Sequence, residues 1–139
     1  MKLFKNQYLC FWIMMIVLLS LTGCVTKLDG NDMEYQSYRQ INQEEAKEMM
    51  SKEDGHIVVD VRREDEYKEG HIPGAILIPN ESIGEEQPKE LPNLDQIILI
   101  YCRSGNRSKE AAQKLFDMGY KNIYEFGGIN TWTGDIVTD

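Results

Sequence analysis

Hydrophobic residues along the chain fall into short blocks separated by polar, glycine-containing stretches, and the form of each block predicts an element. Leu9 to Leu19 is unbroken apolar sequence, whereas Val25 to about Gln36 is polar and aperiodic, as expected of a tether. Asn42-Gln43-Glu44-Glu45 reads as a helix start, with Asn42 as cap and Glu45 reaching back. Ala46, Met49 and Met50 then form an apolar face at helical spacing. His56 to Val61 is a short apolar run without alternation, which suits a strand buried on both faces of a parallel sheet. Arg63 to Lys68 predicts a short helix ended by Gly70, and Ala75 to Ile78 a second apolar strand closed by Pro79. Residues 80–95 are acidic and read as a connection with a turn of helix at most. Gln96 to Tyr101, with four consecutive aliphatic residues, is the strongest buried-strand signal. Ser108 to Met118 is an amphipathic helix carrying Ala111, Ala112, Leu115 and Phe116 on one side, with Gly119 at its end. Asn122 to Phe126 is a last strand, and Gly127-Gly128 begins a turn. Strands alternating with helices predict an α/β fold whose central, mostly parallel sheet is flanked by helices.

The first apolar block stands apart from this fold. Lys2 and Lys5 precede it, and the run is shorter than the ~20 residues a membrane-spanning helix needs. Leu21-Thr22-Gly23-Cys24 follows, and it resembles the lipobox of bacterial lipoproteins. Residues 1–23 are therefore expected to be a signal peptide, 24–37 a lipidated N-terminus and tether, and 38–139 the domain. The resemblance implies acylation of Cys24 with palmitate-type chains and anchorage of an extracytoplasmic domain to the bacterial cell membrane. An ordinary signal peptide with a chance cysteine, or an uncleaved signal anchor, is the alternative.

Charge and cysteine usage narrow the chemistry. Cleavage before Cys24 would remove Lys2 and Lys5 and no acid, leaving 13 basic against 23 acidic side chains, a formal charge of −10. Such a surface repels nucleic acid and anionic headgroups, so no nucleic-acid partner is expected and attachment would rest on the lipid. Of three cysteines, Cys10 would leave with the signal and Cys24 would carry lipid. Cys102 would remain alone, with no disulfide framework and no resolving thiol, which argues against a dithiol oxidoreductase. No Cys/His/Asp cluster has metal-ligand spacing, so neither a metal nor another cofactor is expected. The domain is expected to act as a monomer.

Cys102-Arg103-Ser104-Gly105-Asn106-Arg107 joins the strongest strand to the amphipathic helix. The first amides of a helix lack partners, and its dipole adds about half a positive charge there. Curled around Cys102, the loop would aim the N–H groups of residues 103–107 at the sulfur, with Gly105 permitting the backbone angles such a cradle requires. Arg103 and Arg107 add positive charge, favouring thiolate and an anion beside it. The order of the sequence does not say whether either guanidinium faces the sulfur, solvent or an acid. A lone cysteine closing a buried strand is often a small apolar filler, but two arginines beside such a filler would serve no packing purpose.

Asp60-Val61-Arg62, Glu66-Tyr67, Gly70-His71-Ile72-Pro73-Gly74-Ala75, the Cys102–Arg107 loop, and Gly127-Gly128 with Trp132 occur in the order found in rhodanese-like domains. The resemblance spans about residues 38–135. It implies a single rhodanese-like domain and sulfurtransferase chemistry through a Cys102 persulfide. A small anionic sulfur donor such as thiosulfate would supply the sulfur, and a thiol or cyanide would accept it. Loop length separates branches of the family, and the six residues from Cys102 to Arg107 match the sulfurtransferases; phosphatases of the same fold use a longer loop. A persulfide carrier or partner-docking module needs the same cradle, so the sequence leaves that alternative open. Asp60, Arg62, Glu66 and His71, remote from the loop in sequence, are expected to stabilise turns and buried polar contacts. Trp132 is expected to pack against the core or act as a lid, and His56 to be a solvated residue at a strand edge.

Overall fold

A computed structural model describes residues 37–138; the expected signal peptide, lipidation site and most of the tether lie outside the described residues. Five strands, β1 (Arg39–Gln40), β2 (Ile57–Asp60), β3 (Ile76–Leu77), β4 (Ile97–Cys102) and β5 (Asn122–Gly128), form one sheet in the order β1-β5-β4-β2-β3. Every pairing is parallel, as the uninterrupted apolar runs predict. Helices α1 (Gln43–Met50), α2 (Glu64–Glu69) and α3 (Asn106–Asp117) connect and flank the strands, so the α/β expectation holds.

The central strand β4 sorts its side chains by the two-residue period of a pleated strand. Ile98, Ile100 and Cys102 enter one core cluster with Ala111, Ala112 and Leu115 of α3. Leu99 and Tyr101 enter the other cluster, with Ala46 of α1, Val58, Ile72 and Phe126; Met49, Met50 and Trp132 pack against it. The sheet thus has a buried core on each face, and β4 carries Cys102 out of its middle. The cap of α1 forms as expected, with the Glu45 N–H donating to Asn42 Oδ1 at 2.9 Å and the Asn42 N–H to Glu45 Oε2 at 2.9 Å.

Several boundaries differ from the sequence expectation. The edge strand β1 was not expected, because its two residues are exposed and carry no apolar run. β3 is limited to two residues because only β2 pairs with it. β4 extends to Cys102 and β5 to Gly128, since Cys102 pairs with Gly128 after an irregularity beyond Ile100. α3 begins at Asn106, two residues before the expected start at Ser108, because Gly105 adopts the left-handed conformation (φ 103°) and turns the chain directly into the helix. His56 is only partly solvated: its ring Nδ1 lies 2.7 Å from Asp54 Oδ1.

Candidate active site

Strand β4 ends at the buried Cys102, and after only three intervening residues the chain is helical from Asn106. This short connection folds the backbone over the sulfur. The Gly105 N–H donates to Cys102 Sγ at 3.1 Å. Burial alone would push the thiol up. The Ser108 hydroxyl and the N–H groups of Ser108, Ser104 and Gly105 outweigh it, so the thiol sits below the ordinary cysteine value. The position is held by the 3-10 turn Ile129–Thr131 that follows β5, where the Asn130 N–H donates to the Arg103 carbonyl at 3.2 Å. A methyl group on Gly128 would lie 2.2 Å from that carbonyl oxygen, so only glycine fits there.

The loop residues divide by environment. Arg103, Ser104 and Asn106 are exposed, Gly105 is buried, and Arg107 lies between. Asn106 and Arg107 belong to the first turn of α3, not to a loop. The Arg107 side chain is bound bidentately, Nη1 to Glu66 Oε2 at 2.7 Å and Nη2 to Glu66 Oε1 at 2.9 Å. This guanidinium, opposed by burial and helped by the Arg63 N–H, lowers the Glu66 carboxyl to about 2. No ion pair joins Arg103 to another described residue, so its charge is the uncompensated one at the rim.

Three residues join the site that sequence order did not assign to it. Glu66, expected to act in a turn, reaches the loop across 41 positions through Arg107. Ser108 turns its hydroxyl beneath the loop, 3.0 Å from the Gly105 carbonyl and 2.6 Å from Glu125 Oε1. Glu125, a buried acid on β5, also accepts the Gly127 N–H at 2.8 Å. The only advance signal was the Glu66-Tyr67 pair in the motif; a single acid within a strand gives none.

Other motif residues act as expected. Asp60, fully buried, holds Arg62 through contacts of 2.7–3.0 Å, and Arg62 Nη2 also donates to the Gly70 carbonyl at 2.6 Å. The His71 ring stacks on Tyr67 at 3.7 Å, while its backbone pairs with Val137. Trp132 packs on Phe126 with ring centroids 5.7 Å apart.

A buried strand-end thiol, cradled by amides at a helix N-terminus, is an arrangement that favours a nucleophilic thiolate and an anionic sulfur attached to it. Comparison with known proteins agrees with this chemistry. A family described as "Rhodanese-like domain" matches residues 42–135. The thiosulfate sulfurtransferase GlpE of Coxiella burnetii is 36% identical over 99 residues, which cover 68% of this chain and 87% of that protein. A putative sulfur carrier protein, YrkF of Bacillus subtilis, is 34% identical over 99 residues, covering 70% of this chain and 52% of that one. Among solved structures, a rhodanese-related protein from Thermoplasma volcanium superimposes with a TM-score of 0.62 at 28% identity, covering 73% of this chain and 100% of that chain. Fold, motif order and relatives converge: the chain belongs to the rhodanese-like family, with proteins named as thiosulfate sulfurtransferases among its relatives.

Proposed function

We propose that the domain is a sulfurtransferase that moves a sulfane sulfur from an anionic donor such as thiosulfate to a thiol or cyanide, through a persulfide on Cys102. The observation that carries this reading is the Gly105 N–H aimed at Cys102 Sγ, 3.1 Å away, at the start of α3. In the first step the Cys102 thiolate attacks the outer sulfur of thiosulfate. A new S–S bond forms, the old one breaks, and its electron pair leaves with sulfite. The negative charge passes to the outer sulfur of the persulfide, which would lie at the N-terminus of α3, beside the N–H groups that favour the Cys102 thiolate. In the second step a thiolate or cyanide attacks the outer sulfur, and Cys102 departs as thiolate. Arg103 is the exposed cation that would meet the donor; Arg107 and Asn106 shape the first helical turn, and Ser104 and Gly105 supply backbone donors. The reading also includes the anchor, with Cys24 lipidated and the domain held outside the cytoplasm on the bacterial membrane, as the lipobox-like tetrapeptide suggests.

The test is site-resolved mass analysis of the full-length chain after incubation with thiosulfate. The expected result is one reducible sulfur atom on the peptide containing Cys102, and none in Cys102→Ser. A folded protein that takes up no sulfur from thiosulfate or from an organic persulfide would overturn the reading and assign the loop to a binding module. A persulfide that forms but is not discharged by cyanide would assign the chain to sulfur carriage.

A further inference from the structure

The turn that braces the loop after Cys102 is itself gripped from α1. Gln43, the first residue of that helix, reaches across 85 positions. Its Nε2 donates to the Gly128 carbonyl at 3.0 Å and to Thr131 Oγ1 at 2.8 Å. The Thr131 hydroxyl donates in turn to the same Gly128 carbonyl at 3.2 Å. Three groups thus close a ring, and the count of protons fixes how the Gln43 amide is turned. The carbonyl can only accept, and the hydroxyl has given its proton to that carbonyl, so only an NH2 group suits both neighbours.

One turn further along α1, Lys47 repeats the grip. Its Nζ lies 2.5 Å from Thr133 Oγ1 and 5.4 Å from the centre of the Trp132 ring. Residues four apart share a helix face, so Gln43 and Lys47 hold the segment 128–133 at two successive points. Ala46 of the same helix enters the core cluster of Phe126, against which Met49, Met50 and Trp132 pack.

What the ring holds is in contact with the loop. Gly128 pairs with Cys102 across the sheet, and a methyl on it would lie 2.2 Å from the Arg103 carbonyl oxygen and 2.6 Å from Ser104 Cα. Asn130, between the two residues that Gln43 binds, donates its N–H to the Arg103 carbonyl at 3.2 Å. A trans peptide directs its C=O and N–H to opposite sides. The carbonyl fixed toward the turn therefore sends the Ser104 N–H away from it, and the next amide, that of Gly105, meets Cys102 Sγ at 3.1 Å. Each link from Gln43 to the sulfur is a hydrogen bond or a close backbone contact.

We propose that Gln43 is a positioning residue for the cradle: its two amide protons lock the turn 128–131, which fixes the Arg103–Ser104 peptide and so holds the loop N–H groups on the Cys102 sulfur. Without the lock the fold and the thiol stay in place, but the loop amides are free to swing, and the thiolate loses part of its stabilisation. On the sulfurtransferase reading, on which this consequence rests, loading of sulfur onto Cys102 slows as well. The charged groups about the loop are Arg103 at the rim, Arg107 of α3 with Glu66 of α2, Glu81 of the 3-10 turn Asn80–Ser82, and Glu125 of β5 beside Ser108. A substitution at Gln43 changes none of them, so a shifted thiol titration reports the amides.

The test titrates the thiol without needing sulfur transfer. Ultraviolet absorbance of the thiolate is followed against pH in the full-length chain and its variants, each as the difference from the same protein carrying Cys102→Ser. Gln43→Met keeps the length and the helix preference but has no donor. Its midpoint is expected to rise by about half a pH unit, roughly a threefold fall in the thiolate-to-thiol ratio. An unchanged or lowered midpoint overturns the proposal, since a residue that merely stabilised α1 would lower the urea midpoint of unfolding and leave the thiol titration where it was. Gln43→Lys keeps donors and is expected to titrate as the parent does; a rise equal to that of Gln43→Met overturns the role of the donors. Should Gln43→Met fail to fold by near-ultraviolet circular dichroism, Thr131→Val decides. It removes the hydroxyl of the ring with α1 untouched, and an unchanged midpoint there overturns the lock. Loading of Cys102 by thiosulfate, measured separately by mass, is expected to slow about threefold in Gln43→Met and to recover in Gln43→Lys. Unchanged loading beside a shifted titration would overturn the consequence for transfer. Absence of any persulfide in the parent protein would instead strike at the sulfurtransferase reading and leave the titration result standing.

Discussion

Glu66 and Arg107 meet through two hydrogen bonds of 2.7 and 2.9 Å, and this pair shows how single residues set the charge of the site. With the guanidinium bound bidentately, much of its field is compensated, and Arg103 remains as the open cation. The Glu66 side chain is only 10% exposed, so removing its charge strands part of the Arg107 cation in a poorly solvated position. Glu66→Gln is expected to lower the unfolding free energy at pH 7 by about 2 kcal/mol, a value discounted for the partial exposure of Arg107. The pH dependence has a fixed sign. Glu66 falls from 4.5 to about 2 on folding, so its contribution is complete above pH 4.5 and is lost as pH falls through about 2. Urea unfolding of parent and variant should therefore show a gap at neutral pH that closes across that acid window.

At the scale of elements, the site is the place where β4, α3 and β5 converge. β4 brings the thiol to the edge of the core, α3 brings the amides over it, and the end of β5, with the 3-10 turn after it, braces the connection. The brace depends on Gly128, whose φ of −130° is open to any residue, so the requirement is one of space. A methyl there would lie 2.2 Å from the Arg103 carbonyl oxygen and 2.6 Å from Ser104 Cα. Gly128→Ala is thus expected to displace the cradle and slow thiosulfate-dependent sulfur loading of Cys102 at least about tenfold, equivalent to ~1.4 kcal/mol. Gly84→Ala, at a position with nothing within 4 Å, is the matched control and should load at the parent rate. Equal rates in all three proteins would show that the brace does not position the cradle.

At the scale of the whole molecule, two properties govern where the chemistry takes place. The first is charge: with 13 basic and 23 acidic side chains after Cys24, the surface gives the domain no electrostatic affinity for an anionic membrane. The second is the lipid proposed on Cys24, where two or three acyl chains would hold the domain without any help from its surface. Detergent-phase partitioning of the full-length chain, expressed in a bacterium with lipoprotein processing, tests this directly. The parent should enter the detergent phase, and Cys24→Ser should lose the lipid mass and either remain as precursor or partition to water. Partitioning of Cys24→Ser equal to the parent, with no acyl mass on either, would show that lipid plays no part. Among the described residues no helix is long and apolar enough to cross a membrane.

The sequence alone determined the alternation of strands and helices, the parallel sheet, the cap of α1 and the place of Cys102 at the end of the strongest apolar run. These follow from periodicity and from residues adjacent in the chain, where local sterics and burial act directly. The edge strand β1 was not legible, because two exposed residues become a strand only when β5 lies beside them. The early start of α3 depended on the conformation Gly105 takes when β4 and β5 fix both sides of the turn. Tertiary structure alone decided the partners of the site. Glu66 reached Arg107 across 41 positions, and Glu125 reached Ser108 across 17. Neither contact has a period or a spacing, because both arise where parallel strands, joined through helices, deliver distant residues to the same end of the sheet. The chain order marks the candidate nucleophile; the sheet chooses the acids that stand around it.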